Sequence, residues 1–185
     1  MRLHSPIFKL KYFILILISA ILLGGSPIRD ATENYITSQF EDSISVKMHT
    51  LVLDTELKAL VQNRVKQRFY RDELYYWTIS NNETTIAYAL MDNVLGKSMP
   101  ITFLVILNNE GSILATEVIK YREAYGGEVG NKNWLAQFTH FSDTSDFKLG
   151  KNIDGISGAT ISVNSLSKGI QKIAILFPLI KDKLN

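Results

Sequence analysis

The 185-residue chain contains no cysteine. That absence excludes disulfides, iron–sulfur clusters, c-type haem attachment, a thiol nucleophile and a lipoprotein anchor. Histidine is nearly as scarce, and His4, His49 and His140 lie far apart without the spacing of metal ligands. No Gly-x-Gly-x-x-Gly fingerprint of a nicotinamide-dinucleotide site occurs. Also missing is a basic stripe with interleaved aromatics, so the chain is read as one that does not bind nucleic acid. Any redox chemistry must therefore come from a bound organic cofactor or a His/carboxylate metal site, and the scattered histidines speak against the second.

Long hydrophobic runs are confined to one place. Arg2, Lys9 and Lys11 precede an apolar run from Tyr12 to Leu23, followed by Gly24-Gly25-Ser26-Pro27. A basic start before about a dozen apolar residues is the pattern of a secretory signal peptide or a short membrane anchor. No clean Ala-x-Ala cleavage site follows it, which favours an uncleaved anchor with the rest of the chain outside the cytoplasm. Residues 1–26 hold three basic residues and no acid, so the remainder carries 17 basic against 18 acidic residues and is close to neutral.

The rest is one domain's worth of chain, and 46% hydrophobic residues suffice for a core. The organisation expected is a signal or anchor over 1–26, a linker or N-terminal extension over 27–53, and a folded domain over 54–185. Asp54 is placed as the N-cap of a helix running to about Arg68, with Leu57, Leu60, Val61 and Val65 along its inner face. Leu74 to Ser80 and Thr84 to Met91 read as a hairpin across Asn81-Asn82-Glu83. Ile101 to Leu107 and Ile113 to Tyr121 read as a second hairpin, both strands internal, with Ile101, Phe103, Val105 and Leu107 on one face. Residues 131–138 read as a short helix with Trp134, Leu135 and Phe138 turned inward. The fold class expected is α+β, an antiparallel β-sheet with packed helices, preceded by the N-terminal hydrophobic segment.

The stretch that stands apart is Asp154-Gly155-Ile156-Ser157-Gly158-Ala159-Thr160. Behind it Val163, Leu166, Ile170, Ile173 and Phe177 recur at helical spacing, with Ser162 as the natural N-cap and Pro178 as the stop. Ser157-Gly158-Ala159 has almost no side-chain bulk, so another molecule can approach the backbone, and Gly158 is free to take a positive φ. Thr160 is then presented at a helix entrance, where unpaired N–H groups and the helix dipole favour a phosphate.

Asp154, Ser157, Gly158, Ala159 and Thr160 resemble the flavinylation motif of the FMN-binding domain family, known from membrane subunits of the Rnf and sodium-pumping NADH:quinone reductase complexes. The resemblance implies that a flavin transferase moves FMN from FAD onto Thr160, leaving a phosphodiester between cofactor and hydroxyl. Ser157, Gly158 and Ala159 would let the transferase and the phosphate close on the backbone, and Asp154 would help dock the transferase or hold its metal. Upstream, Gly96-Lys97-Ser98-Met99-Pro100-Ile101 is similar to the family's entry to its central hairpin, and Tyr121 to Gly130 to the loop after it. The match covers roughly Val94 to Phe177. In that loop Glu123, Tyr125 and Gly126 are the expected flavin contacts, with Tyr125 stacking on the isoalloxazine.

What the resemblance implies is an exported or membrane-anchored flavoprotein on the extracytoplasmic face of the inner membrane. It would relay electrons between a membrane redox partner and an external acceptor, as an electron-transfer component with no catalytic residues of its own. A subunit of a larger Rnf-like oxidoreductase, and a non-redox binding module that has lost the flavin, are the alternatives.

Overall fold

The computed structural model describes residues 26–41 and 43–184. The hydrophobic segment expected to export or anchor the chain thus lies almost wholly outside the described residues. Helix α1 (Pro27–Ser38) leads into strand β1 (Ser45–Val52), helix α2 (Thr55–Val65) and strand β2 (Glu73–Asn81). Strands β3 (Thr84–Leu95), β4 (Pro100–Asn108) and β5 (Ile113–Lys120) follow, then the short helix α3 (Lys132–Leu135) and the long helix α4 (Thr160–Ile180). The fold is α+β: one five-stranded antiparallel sheet in the order β1-β2-β3-β4-β5, with helices packed on it.

The sequence of β4 dictates two layers of cover. Every residue from Ile101 to Leu107 is buried, and a strand with no solvent face has to sit between two packed surfaces. Ile101, Phe103, Val105 and Leu107 face a core shared with Val163, Leu166, Ile170 and Ile173 of α4. Leu104 and Ile106 face the other way, into a smaller cluster with Trp77, Ile79, Met91 and Ile36 of α1.

Turn chemistry fixes the register. Asn82 and Glu83 take φ of 45° and 67°, the left-handed pair of a two-residue hairpin loop, and close Asn81 against Thr84. In the second hairpin Asn108 Oδ1 accepts from the N–H groups of Glu110 and Ser112, and Gly111 takes a φ of 84°. Asp54 caps α2 as expected, its Oδ1 accepting from Leu57 N at 2.7 Å.

The structure departs from the sequence reading at four places. The stretch 27–53, expected as a linker or N-terminal extension, supplies α1 and the sheet strand β1, which pairs with β2 from Ser45↔Ser80 to Val52↔Glu73. Leu60 is 59% exposed. Leu57, Val61 and Val65 repeat every four residues and form the buried stripe, leaving Leu60 off its edge. β5 is an edge strand rather than an internal one; residues of α3 and the tyrosine of α1 cover part of it. Pro178 does not stop α4, which runs on to Ile180. The proline removes one backbone bond, to Ala174, but burial of Phe177, Ile180 and Leu184 holds the final turn against the core.

α4 lies on the sheet where it has no side chain to keep it off. A Cβ on Gly169 would stand 2.6 Å from Val94 Cγ1 and 2.9 Å from Phe103 Cζ. This close approach sets the height of α4 above β3 and β4, and with it the position of Thr160 at the helix start.

On the opposite face, Tyr35 of α1 donates its hydroxyl to Thr116 O at 3.1 Å. Burial, reinforced by the Glu117 carboxylate, pushes this phenol up to about 12. An unfolded tyrosine ionises near pH ~10, so the native contact favours the fold fully below that value and is lost as pH rises from about 10 to about 12. Tyr35→Phe is expected to flatten that alkaline loss, seen as a smaller drop in urea midpoint between about pH 9 and about pH 11.

Candidate functional site

The motif begins at a loop held from behind. Trp134 Nε1 donates to Asp154 O at 2.8 Å, and Asp154 N donates to the Gln137 side-chain carbonyl at 2.8 Å. The indole is buried against Phe138 at 5.3 Å, edge to face, so the anchor is a packed one. From there the chain turns through Ile156-Ser157-Gly158-Ala159, closed by Ala159 N donating to Ile156 O. Gly158, third in this turn, takes a φ of 80°, the value a type II turn demands at that position.

That turn delivers the chain into α4 earlier than expected. Ala159, not Ser162, is the residue before the helix, and it offers no side-chain cap. The first helical bond runs from Val163 N to Ala159 O, so the N–H groups of Thr160, Ile161 and Ser162 precede the hydrogen-bonded ladder. Ser162 is buried at 4% exposure, its hydroxyl 3.1 Å from that of Tyr121. Thr160 is exposed, and its hydroxyl makes no hydrogen bond among the described residues.

The second wall comes from the loop after β5. Gly126 takes a φ of 82°, and a Cβ there would stand 2.8 Å from the Tyr121 hydroxyl and 3.6 Å from Ala159 Cβ. Only glycine lets this loop close on the start of α4. Tyr121 locks the arrangement by donating to Tyr125 O at 2.5 Å, while the Tyr125 ring projects into solvent at 86% exposure.

The third wall is the segment before β4. Glu123 Oε1 accepts from Ser98 N at 2.9 Å and Met99 N at 3.1 Å. These amides hold its carboxyl below the usual carboxylate range. A Cβ on Gly96 would stand 2.3 Å from the same oxygen, so Gly96 is what admits the carboxylate. Glu123 is thus a clamp between two loops.

Together the walls enclose an open cleft of about 630 Å³. Of the residues expected from the sequence, Glu123, Tyr125, Gly126, Gly158, Ala159 and Thr160 line it. Asp154 and Ser157 do not; both are exposed on the approach to it. The sequence reading assigned no site role to Lys97, Met99, Arg122, Ile161 or Ser162, which also line the cleft. Their signal was proximity: each lies within a few residues of a motif position, but nothing in their identity marked them.

Lys97, Arg122 and the start of α4 bring positive potential to the cleft, while Tyr125, Met99 and Ile161 offer exposed apolar surface. A molecule with a flat ring system and a phosphate suits such a site.

Residues 96–174 match the family model of the FMN-binding domain. This segment is an FMN-binding domain. Its span, close to the Val94 to Phe177 resemblance in the sequence, contains all three walls of the cleft. A search of curated proteins found no match. α1, β1, α2, β2 and β3 all lie before residue 96, so three of the five strands come from chain the family model does not reach.

The residues present fit the cofactor. The FMN phosphate can meet the free amides at the start of α4, and the Thr160 hydroxyl beside them is accessible and unengaged. At Gly158 an added Cβ would meet nothing within 4 Å, so a ligand can come close to the backbone there, and Tyr125 and Met99 offer surface to a ring.

Proposed function

We propose that this flavoprotein carries its FMN covalently, as a phosphodiester on Thr160 Oγ1, and works as an electron relay outside the cytoplasm. The observation that carries the reading is the Thr160 hydroxyl: exposed, without a hydrogen-bond partner among the described residues, and set beside three amides that precede the helical ladder.

The attachment balances as a group transfer. The P–O–P linkage of FAD breaks, a bond forms between the FMN phosphorus and Thr160 Oγ1, AMP leaves, and the hydroxyl proton passes to solvent or to the transferase. Thr160 is the acceptor in this maturation step and takes no part in turnover. A separate flavin transferase performs the reaction. The open turn at Ser157-Gly158-Ala159 leaves it room, and the exposed Asp154 carboxylate is free to contact it or its metal.

A bound flavin supplies one- and two-electron chemistry, and the chain supplies position and surroundings. Glu123 holds the loop at Ser98 and Met99 in place, Tyr121 holds the loop at Tyr125, and the Tyr125 ring is free to lie on an isoalloxazine. The cleft is open, which suits exchange with large partners: a redox protein in the membrane on one side and an acceptor outside on the other. The N-terminal hydrophobic segment, as signal or anchor, puts the domain on the extracytoplasmic face. Covalent attachment then has a physical use, since a dissociated cofactor there is lost.

The test is intact mass of the full chain co-expressed with a flavin transferase. The expected result is an added mass of one FMN less a water. A protein that stays unmodified beside a control substrate that the same transferase loads would overturn the covalent reading.

A further inference from the structure

A second cavity, of about 540 Å³, opens on the other face of the sheet between α1 and the strands β1 to β4. Its size is that of a site for a small organic molecule. None of the attachment motif lies in it, and its lining has two distinct parts.

One part is apolar and flat-sided. Trp77, Tyr75, Met48 and Met91 form it. The Trp77 indole is fixed, because its Nε1 donates to Glu33 Oε1 at 3.1 Å and Glu33 is itself held by Arg29 Nε at 2.8 Å. Rings and thioethers together favour an aromatic guest.

The other part is cationic. Arg71 makes no hydrogen bond or ion pair among the described residues. Arg122 uses Nη1 for Pro100 O at 2.9 Å and Thr102 Oγ1 at 3.0 Å, leaving the rest of its fork unused. Of the two acids in the lining, Asp92 is ion-paired with Lys172 at 2.7 Å and also feels the charge of Arg71, and Glu73 is the other. Guanidiniums and aromatic rings lining one cavity suit a carboxylate carried on a ring.

We infer that this cavity binds a small aromatic carboxylate, its ring against the partly exposed Tyr75 and Met48 above the buried Trp77 and its carboxylate on Arg71 and Arg122. Arg122 also lines the flavin cleft, so one side chain borders both sites. The inference does not depend on how, or whether, the flavin is attached.

The two tryptophans of the chain make the test internal. Trp77 lines the cavity, whereas Trp134 sits behind the attachment loop. The full ¹⁵N-labelled chain in lipid nanodiscs is titrated with 2-naphthoate, with 2-naphthamide as the uncharged control and Arg71→Ala as the variant. The expected result is a saturable shift of the Trp77 indole signal with the Trp134 signal unmoved. Binding should be at least about tenfold weaker for the amide and for Arg71→Ala. Arg71 is exposed, and an unchanged spectrum of that variant elsewhere shows that it is folded. The absence of a saturable Trp77 shift overturns the inference, and so does equal binding of acid and amide or of wild type and Arg71→Ala. The readout needs no flavin, so its failure is distinct from failure of the attachment.

Discussion

Lys172→Met is expected to destabilise the protein by about 3–5 kcal/mol, the cost of leaving a buried charge without its partner. Lys172 is fully buried, and its Nζ lies 2.7 Å from Asp92 Oδ2. The ammonium also donates to Arg68 O at 2.7 Å and stands 4.3 Å from the centre of the Phe69 ring. It thereby joins α4 to β3 and to the chain leading into β2. Methionine fills nearly the same volume, so the loss comes from the charge rather than from a cavity. Urea unfolding should show a lower midpoint with an unchanged slope.

The pH dependence of that loss is a second signature. Burial pushes the Asp92 carboxyl up, and Lys172 opposes the shift. A carboxyl whose native value is raised binds its proton more readily folded than unfolded. Its contribution to stability is therefore present below the unfolded value and lost as pH rises through the native one. Without Lys172 the native value rises further, so the deficit of Lys172→Met should shrink on acidification and grow towards neutral pH. The double variant Asp92→Asn/Lys172→Met should recover much of the loss, because removing both charges also removes the desolvation cost. Recovery by neither acid nor the second substitution would show that the lysine acts through packing alone.

Neither member of this pair was legible in the sequence. Lys172 occupies a helix position between Ile170 and Ile173 where the apolar spacing gives no reason for a buried charge, and Asp92 follows a hydrophobic strand as a turn residue would. Contacts that join residues 80 positions apart leave no local trace. What was legible is what local chemistry dictates. The strands β2 to β5 follow from β-branched runs between Asn- and Gly-rich turns, and the cap at Asp54 follows from its position before a helical stripe. β1 shows why the remainder was missed. Its alternation Ser45-Val46-Lys47-Met48-His49 has the period of a strand, but it is short and polar on one side, and only pairing with β2 makes it part of the sheet.

The candidate site divides in the same way. Gly158, Ala159 and Thr160 could be read because a turn glycine and a helix entrance have local signatures. The helix start itself was misplaced by three residues, since Ser162 is the better cap by residue type. Packing overrides that preference: Ser162 is drawn inward to the Tyr121 hydroxyl, and the type II turn carries the chain into the helix at Thr160. The roles of Glu123 and Trp134 needed the fold. A carboxylate clamping two amides about 25 residues upstream, and an indole holding a carbonyl 20 residues downstream, are tertiary facts.

Thr160→Ala is expected to abolish the flavin adduct completely while leaving the fold intact. Thr160 is exposed and its hydroxyl has no partner among the described residues, so the change in stability should fall within about 0.5 kcal/mol, as for other surface positions free of special contacts. Alanine is also the better helix former, which works against any loss. Thr160→Ser keeps the nucleophilic oxygen and should still be modified, though more slowly. The threonine methyl restricts the rotamer that aims the hydroxyl, and serine lacks that restraint. The neighbouring hydroxyls provide the counter-test. Ser162 is buried against Tyr121 and inaccessible, whereas Ser157 is exposed in the turn three residues before Thr160. Ser157→Ala should therefore retain the adduct on Thr160. Peptide mapping of each variant after co-expression with the transferase decides the matter. An adduct that survives in Thr160→Ala, or that maps to Ser157, would remove Thr160 from its role and show that the exposed turn, not the helix entrance, presents the acceptor.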